Sequence, residues 1–187
     1  MQKREAKMNF EGKVAVITGS SAGIGAEAAK KITSMGGRVT INYSKSKEAA
    51  EEVAHECSQL GESPIIIKAD IAVDEGCKHL IDSTFNELKG INILINNAGR
   101  TKFADHSNLD ALQRDDFENI LALNLNSNYE LIKHARPHLA KNKKSSIVNI
   151  SSVAGLRGLG SSVAYAASKG ALNSMTLALS RSLGPDG

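Results

Sequence analysis

Short, almost wholly apolar runs recur along this chain, each followed by a longer stretch with helical spacing. That alternation constrains the fold more than any other feature. The runs are Val14-Ala15-Val16-Ile17, Val39-Thr40-Ile41-Asn42-Tyr43, Ile65-Ile66-Ile67, Ile93-Leu94-Ile95 and Ile147-Val148-Asn149-Ile150. They are too short and too continuously apolar to be half-exposed strands, so both faces of their sheet should be covered. Segments such as Glu48 to Leu60 and Asp74 to Leu88 are long enough for crossover helices. Strand and helix in strict alternation imply right-handed βαβ units on a parallel sheet. Gly36-Gly37 and Gly61 mark the ends of the first two helices. The stretch from Arg100 to Asp115 is the least regular and reads as a surface loop.

Strand one runs into Thr18-Gly19-Ser20-Ser21-Ala22-Gly23-Ile24-Gly25, and a helical pattern follows from Ala26. Glycines at this position let the backbone turn sharply and approach a phosphate without a Cβ in the way. The helix start then offers free N–H groups and the positive end of its dipole. Ser20 and Ser21 add hydroxyl donors. The G-x-x-x-G-x-G spacing differs from the commonest dinucleotide fingerprint, and no Gly-Lys-Ser/Thr follows to make a P-loop.

Composition excludes several other classes. With 187 residues, the chain suits a single domain spanning 1–187. Aromatic residues make up 4% with no Trp, and the net charge is only +3, so a nucleic-acid partner is not expected. No apolar run approaches membrane-spanning length, and Met1 to Phe10 lacks the apolar centre of a secretion signal. Cys57 continues the apolar stripe of Ala50, Val53 and Ala54, and with Cys77 fits no metal spacing. These features point to a reducing, cytoplasmic location. His134 and His138 are spaced i, i+4, but the intervening Ala135-Arg136-Pro137 has no Glu and carries a helix breaker. A surface helix end is expected there, and no metal site. Lys141-Asn142-Lys143-Lys144 reads as a solvated turn before strand five.

Three more segments complete a pattern. Asn96-Asn97-Ala98-Gly99 follows strand four, Ser151-Ser152 ends strand five, and Tyr165-Ala166-Ala167-Ser168-Lys169 opens a helix soon afterwards. With the T-G-x-x-x-G-I-G loop, the sequence resembles the short-chain dehydrogenase/reductase family from Lys13 to Gly187. The resemblance implies a Rossmann-like, doubly wound parallel sheet in strand order 3-2-1-4-5. It implies that Gly19, Ser20, Ser21, Gly23, Ile24 and Gly25 hold the cofactor phosphates. Tyr43, Ser44, Asp70 and Ile71 would flank its adenosine end, with Asn97, Ala98 and Gly99 packed beneath. Ser152, Tyr165 and Lys169 match the catalytic trio, Tyr165 and Lys169 also touching the cofactor, and Asn124 in Leu123-Asn124-Leu125 matches a fourth catalytic position.

The chemistry follows from residue types. Tyr165 and Lys169, spaced i, i+4, share one helix face. A phenol is a poor base at neutral pH, and a neighbouring ammonium favours its phenolate. Such a group can pass a proton to or from a carbonyl or alcohol oxygen while hydride moves on the cofactor. Ser152 can hydrogen-bond the same oxygen. The expected activity is therefore NAD(P)-dependent oxidoreduction of a small carbonyl or secondary alcohol. The alternative is a dinucleotide-binding protein without turnover, serving as a sensor, scaffold or inactive truncated product; a methyltransferase on a similar sheet is disfavoured by the Tyr-Lys pair. After strand two the chain reads Asn42-Tyr43-Ser44-Lys45, with Lys47 nearby and no acid to hold ribose hydroxyls. NADP(H) is thus favoured over NAD(H). The small-residue stripe Ala164, Ala167, Ala171, Ser174 and Ala178 suits close helix approach, and the resemblance implies a homo-oligomer once the fold is completed. The chain closes on Leu183-Gly184-Pro185-Asp186-Gly187. The resemblance implies a sixth strand, further helices and a seventh strand beyond it, so strand five is expected to be a sheet edge and the 187-residue form to turn over poorly.

Overall fold

The computed structural model describes residues 9–142 and 144–187. Five parallel strands form one sheet in the order β3-β2-β1-β4-β5. They are β1 (Val14–Ile17), β2 (Arg38–Tyr43), β3 (Ile65–Lys68), β4 (Ile93–Asn96) and β5 (Ser146–Asn149). The helices are α1 (Gly23–Ser34), α2 (Lys47–Ser58), α3 (Asp74–Leu88), α4 (Arg114–Leu121), α5 (Ser127–Leu139), α6 (Ala154–Arg157) and α7 (Val163–Leu183). A π-helical segment, Ala122–Asn126, joins α4 to α5. This is the doubly wound architecture anticipated from the alternation of runs.

Side chains alternate across each strand, so β1 serves two cores at once. Ala15 and Ile17 join Val39 and Ile41 against Ala29 and Ile32 of α1 and Val53 and Cys57 of α2. Val16, Ile67 and Leu94 face the other way, onto Leu80 and Ile81 of α3 and Leu131 and Ala135 of α5. Each such fully buried Leu or Ile contributes about 1.5–3 kcal/mol relative to an exposed one. Both thiols are buried in these cores. Burial pushes Cys57 up and, with Asp74 nearby, pushes Cys77 up to about 12.

Some expectations change. β5 is bordered only by β4, and its residues alternate between exposed and half-buried, so it is not covered on both faces. Ile66 of β3, the other outer strand, is also partly exposed. Helix α1 begins at Gly23, one turn earlier than the apolar spacing suggests, because the glycines themselves form its first turn. Pro137 does not stop α5, which continues to Leu139; the proline gives up its own N–H bond, but only two helical residues follow it. Within Arg100 to Asp115, a 3-10 turn at Leu109–Ala111 and the start of α4 interrupt the loop. Residues 1–8 and Lys143, on which the reading of the N-terminal segment and of the basic run partly depends, lie outside the described residues. Of the remaining basic run, Lys141 Nζ lies 5.6 Å from the Phe85 ring centroid, and Asn142 ties Ile91 O and His138 O at 3.0 Å each.

Candidate active site

The carboxyl ends of β1, β2 and β4 open into a cleft of about 270 Å³. It is lined by Gly19, Ser21, Tyr43, Ser44, Asp70, Ile71, Asn97, Ala98 and Gly99, together with Asn42, Lys45 and Arg100. Nine of the expected cofactor residues thus meet there. Gly23, Ile24 and Gly25 form the adjacent first turn of α1.

The loop glycines act for different reasons. Gly19 and Gly23 have φ of +60° and +58°, where a Cβ is strained. Beyond Gly23 there is open space, whereas a Cβ on Gly25 would stand 2.6 Å from Asn97 Nδ2 and 2.8 Å from Gly19 O. Gly25 is therefore a packing glycine and Gly23 a turning one. Ala22, the N-cap of α1, supplies no side-chain acceptor, so the first-turn amides remain available to an anion. An uncapped, unobstructed helix start beside a polar cleft fits a dinucleotide phosphate.

Ser20 behaves differently from its neighbour Ser21. It is fully buried; its hydroxyl donates to Ile17 O at 2.7 Å and accepts from Asn42 N at 3.0 Å. Its hydroxyl is thus spent on the scaffold, a correction to its expected role as a phosphate donor. Two residues that sequence reading did not single out complete the cradle. Thr18 Oγ1 accepts from both Asn97 N at 2.9 Å and Ala98 N at 3.0 Å. Asn42 Oδ1 accepts from Gly19 N at 3.2 Å while Asn42 Nδ2 reaches Ala69 O at 3.2 Å. Asn97 Nδ2 returns the tie to Thr18 O at 2.9 Å and Gly19 O at 3.1 Å. Asn42 stands in an otherwise apolar run, which was the available signal; Thr18 carried none beyond its place before the first glycine.

The side chains expected to be catalytic lie on the other flank. Ser162 caps α7, its Oγ accepting from Tyr165 N at 3.2 Å, and this sets Tyr165 in the first turn. Lys169, one turn on, is only 3% exposed. Its Nζ donates to Ile150 O at 2.7 Å and lies 5.9 Å from the Tyr165 ring centroid. Burial pushes the Lys169 ammonium below the usual lysine range. Ser152 leads into α6, and its Oγ accepts from Ala154 N at 3.1 Å, leaving its own proton free to donate. A Cβ on Gly99 would lie 3.3 Å from Asn124 Oδ1 and 3.7 Å from Lys169 Nζ, so the loop after β4 runs directly past the lysine.

Asn124 sits in the π-helical segment and is fully buried. Its Oδ1 accepts from Arg100 N at 2.8 Å, and its Nδ2 donates to Arg100 O at 2.9 Å and Ser168 Oγ at 3.0 Å. Even its carbonyl accepts from Asn128 Nδ2, at 3.2 Å. With its amide enclosed and committed, Asn124 ties the loop after β4 to Ser168 of α7. Ser168, missed in the sequence, passes the tie onward by donating to Tyr165 O at 2.7 Å.

His134 makes no approach to this site. Its Nε2 lies 2.8 Å from Asp74 Oδ1, with Glu130 alongside, the three ligand-capable atoms within 4.8 Å of one another. Lys133 ion-pairs with both carboxylates. The hydrogen bond from His134 is the main cause that holds the Asp74 carboxyl below its usual range.

Residues 13–187 match the family model described as short chain dehydrogenase. A Streptomyces violaceoruber protein named as a ketoacyl reductase of the granaticin polyketide synthase is 35% identical over 94% of this chain and 69% of its own length. A Burkholderia cenocepacia short chain dehydrogenase solved in complex with NADP is 35% identical with a TM-score of 0.89, covering 96% of this chain and 72% of that one. An NAD+-bound xylitol dehydrogenase is 26% identical with a TM-score of 0.89, over 96% and 68%. The chain belongs to the short-chain dehydrogenases, a family of nicotinamide-dependent oxidoreductases.

Proposed function

We propose that this protein moves hydride between NADP(H) and a carbonyl or secondary alcohol, with Tyr165 as the proton-transfer group. One observation carries the reading: a buried ammonium, Lys169, stands one turn from Tyr165 and has no carboxylate partner among the described residues. Burying an unpaired charge costs free energy that a structural role does not recover. Beside a phenol, it stabilises phenolate during proton transfer.

The bound nicotinamide would supply or accept hydride. Gly19, Gly23, Ile24, Gly25 and Ser21 would hold its phosphates, and Tyr43, Ser44, Asp70 and Ile71 its adenosine end. Ser152 donates to the carbonyl oxygen, and Tyr165 gives that oxygen its proton. Lys169, with two N–H groups uncommitted among the described residues, holds the phenolate and reaches toward the cofactor. Asn124 and Ser168 keep the loop after β4 and the turn bearing Tyr165 in register.

NADP preference rests on the mouth of the cleft, where Ser44, Lys45 and Ser46 follow β2 without an acid. A 2′-phosphate meets hydroxyls and the Lys45 cation there. Solved neighbours carry NADP in one case and NAD+ in another. No helix among the described residues is long and apolar enough to cross a membrane. The two free, buried thiols suit a reducing cytoplasm. Exposed Tyr129 on α5 and Leu177 on α7 suit a homo-oligomer.

The test is a fluorescence titration with NADPH and NADH, followed by cofactor oxidation with a carbonyl panel. Tighter NADPH binding and carbonyl-dependent oxidation are expected. Tighter NADH binding would sink the cofactor preference, and cofactor binding with no turnover of any carbonyl or alcohol would leave a binding protein instead.

A further inference from the structure

We infer that the mouth of the site takes an apolar substrate, a carbonyl borne on an alkyl chain or aromatic ring and not on a polyol. The inference rests on the reading of Tyr165 as the group that meets the carbonyl. Two segments form this mouth: residues 101–104 after β4, and residues 153–163 around α6. They are joined by a backbone bond from Ala104 N to Ser161 O at 2.9 Å and by Thr101 Oγ1 to Ser161 Oγ at 2.6 Å.

Large apolar side chains concentrate here. Phe103 of the first segment is 85% exposed and Leu156 of the second 79%, and the second also exposes Val153, Leu159 and Val163. Scattered surface leucines need no explanation, but a cluster at a cleft does. The recess between the two segments borders the Tyr165 ring. Phe103 and Gly160 line one open recess, and a Cβ on Gly160 would lie 3.9 Å from Tyr165 Cδ1. Gly160 has φ of +122°, so a side chain there is strained and the approach to Tyr165 stays open.

The polar groups of the same mouth are mostly committed. Thr101 and Ser161 bond each other, and Ser162 caps α7. Lys102 pairs with Asp116 at 2.7 Å, and Asp105 accepts from Ser107. Arg157 and Asp105 are exposed charges with no ion-pair partner among the described residues, and Asp105 lines the recess itself. A polyol would have to give up its water here for few free partners, whereas an alkyl chain gains by covering Phe103 and Leu156.

Two experiments test this on the full chain. The first compares 2-alkanones of rising length with dihydroxyacetone. We expect kcat/KM to rise about two- to fourfold per methylene until the mouth is covered, and Phe103→Ser to flatten that rise. The second uses Phe103→Trp, which gives a protein without tryptophan one indole at the mouth. With cofactor present, 2-nonanone should move its emission to the blue and dihydroxyacetone should not. Alkanone-dependent emission without turnover of any carbonyl would refute the reaction while supporting the apolar mouth. Dihydroxyacetone turned over as well as the alkanones, or an indole indifferent to 2-nonanone, would overturn the inference. Emission that shifts with protein concentration alone would assign the patch to a second copy and overturn it equally.

Discussion

The two flanks of the cleft are built on opposite terms. On the β1–β2 flank, polar groups close on one another. Thr18, Ser20, Asn42 and Asn97 spend their side chains on loop backbone, and all four residues of β1 are buried. On the β5–α7 flank, polar groups are held but left with capacity. Lys169 has one acceptor, Ser152 receives one N–H, and β5 is half-open. A phosphate cradle must keep its shape before the ligand arrives, and full satisfaction of buried polar groups gives that rigidity. A proton-transfer site must keep donors unspent for the substrate oxygen. On the proposed function, holding and reacting fall to different flanks, with Gly99 and Asn124 between them.

The largest effect should fall on the reactive flank. Tyr165→Phe in the full chain should lower turnover by about 10²- to 10⁴-fold while leaving NADPH affinity within a few-fold. Lys169→Met should lower both, since Lys169 is assigned to phenol and cofactor together. Steady-state rates and cofactor titration separate the two variants, and substantial turnover by Tyr165→Phe would mean that another group carries the proton.

On the holding flank, Gly25→Ala forces a Cβ against Asn97 Nδ2 and Gly19 O. Overpacking of this kind costs about 1–3 kcal/mol, and NADPH affinity should fall by roughly tenfold or more as the first turn of α1 shifts. Urea midpoints and cofactor titration would register both changes. An affinity equal to the parent's would mean that the cradle tolerates movement, and the contrast between flanks would fail.

Thr18→Val keeps the shape but orphans Asn97 N and Ala98 N. Leaving these groups without an acceptor costs about 1–3 kcal/mol, read as a lower urea midpoint with the slope unchanged. Ser152→Ala, whose hydroxyl supports only Ala154 N, should change stability less than Thr18→Val does.

The smallest effect concerns acid. Backbone N–H bonds from Ser107 and Gln113 are the first causes holding the Asp105 and Asp116 carboxyls below the ordinary 3.8. A carboxylate depressed on folding contributes stability above its unfolded value, and that contribution is lost as pH falls through the folded one. Asp105 is exposed and Asp116 half-buried at the surface beside Lys102, so the loss is small. Below about pH 3.8, amide-exchange protection at Ser107 and Gln113 should fall before protection at Asn97 and Ala98, whose acceptor is a hydroxyl. Simultaneous loss at all four amides would show the flanks melting as one unit.

The parallel sheet was legible from the chain alone because period and length are local properties, whereas its strand order came only with the family resemblance. A strand buried on both faces reads as a continuous apolar run, and Val14 to Ile17 is one. The turn at Gly19 and Gly23 and the i, i+4 placement of Tyr165 and Lys169 were legible for the same reason. What a polar side chain is spent on is not local. Ser20 and Ser21 are adjacent and alike, yet one turns its hydroxyl to Ile17 O and Asn42 N while the other lines the cleft. Asn124 matched a catalytic position, and its enclosed amide ties Arg100 to Ser168, across 24 and 44 residues of sequence. Apolar periodicity decides which elements form and which face is buried; hydrogen-bond partners drawn from distant segments meet only when those elements pack, and that meeting decided which polar groups hold the loop and which remain free to react.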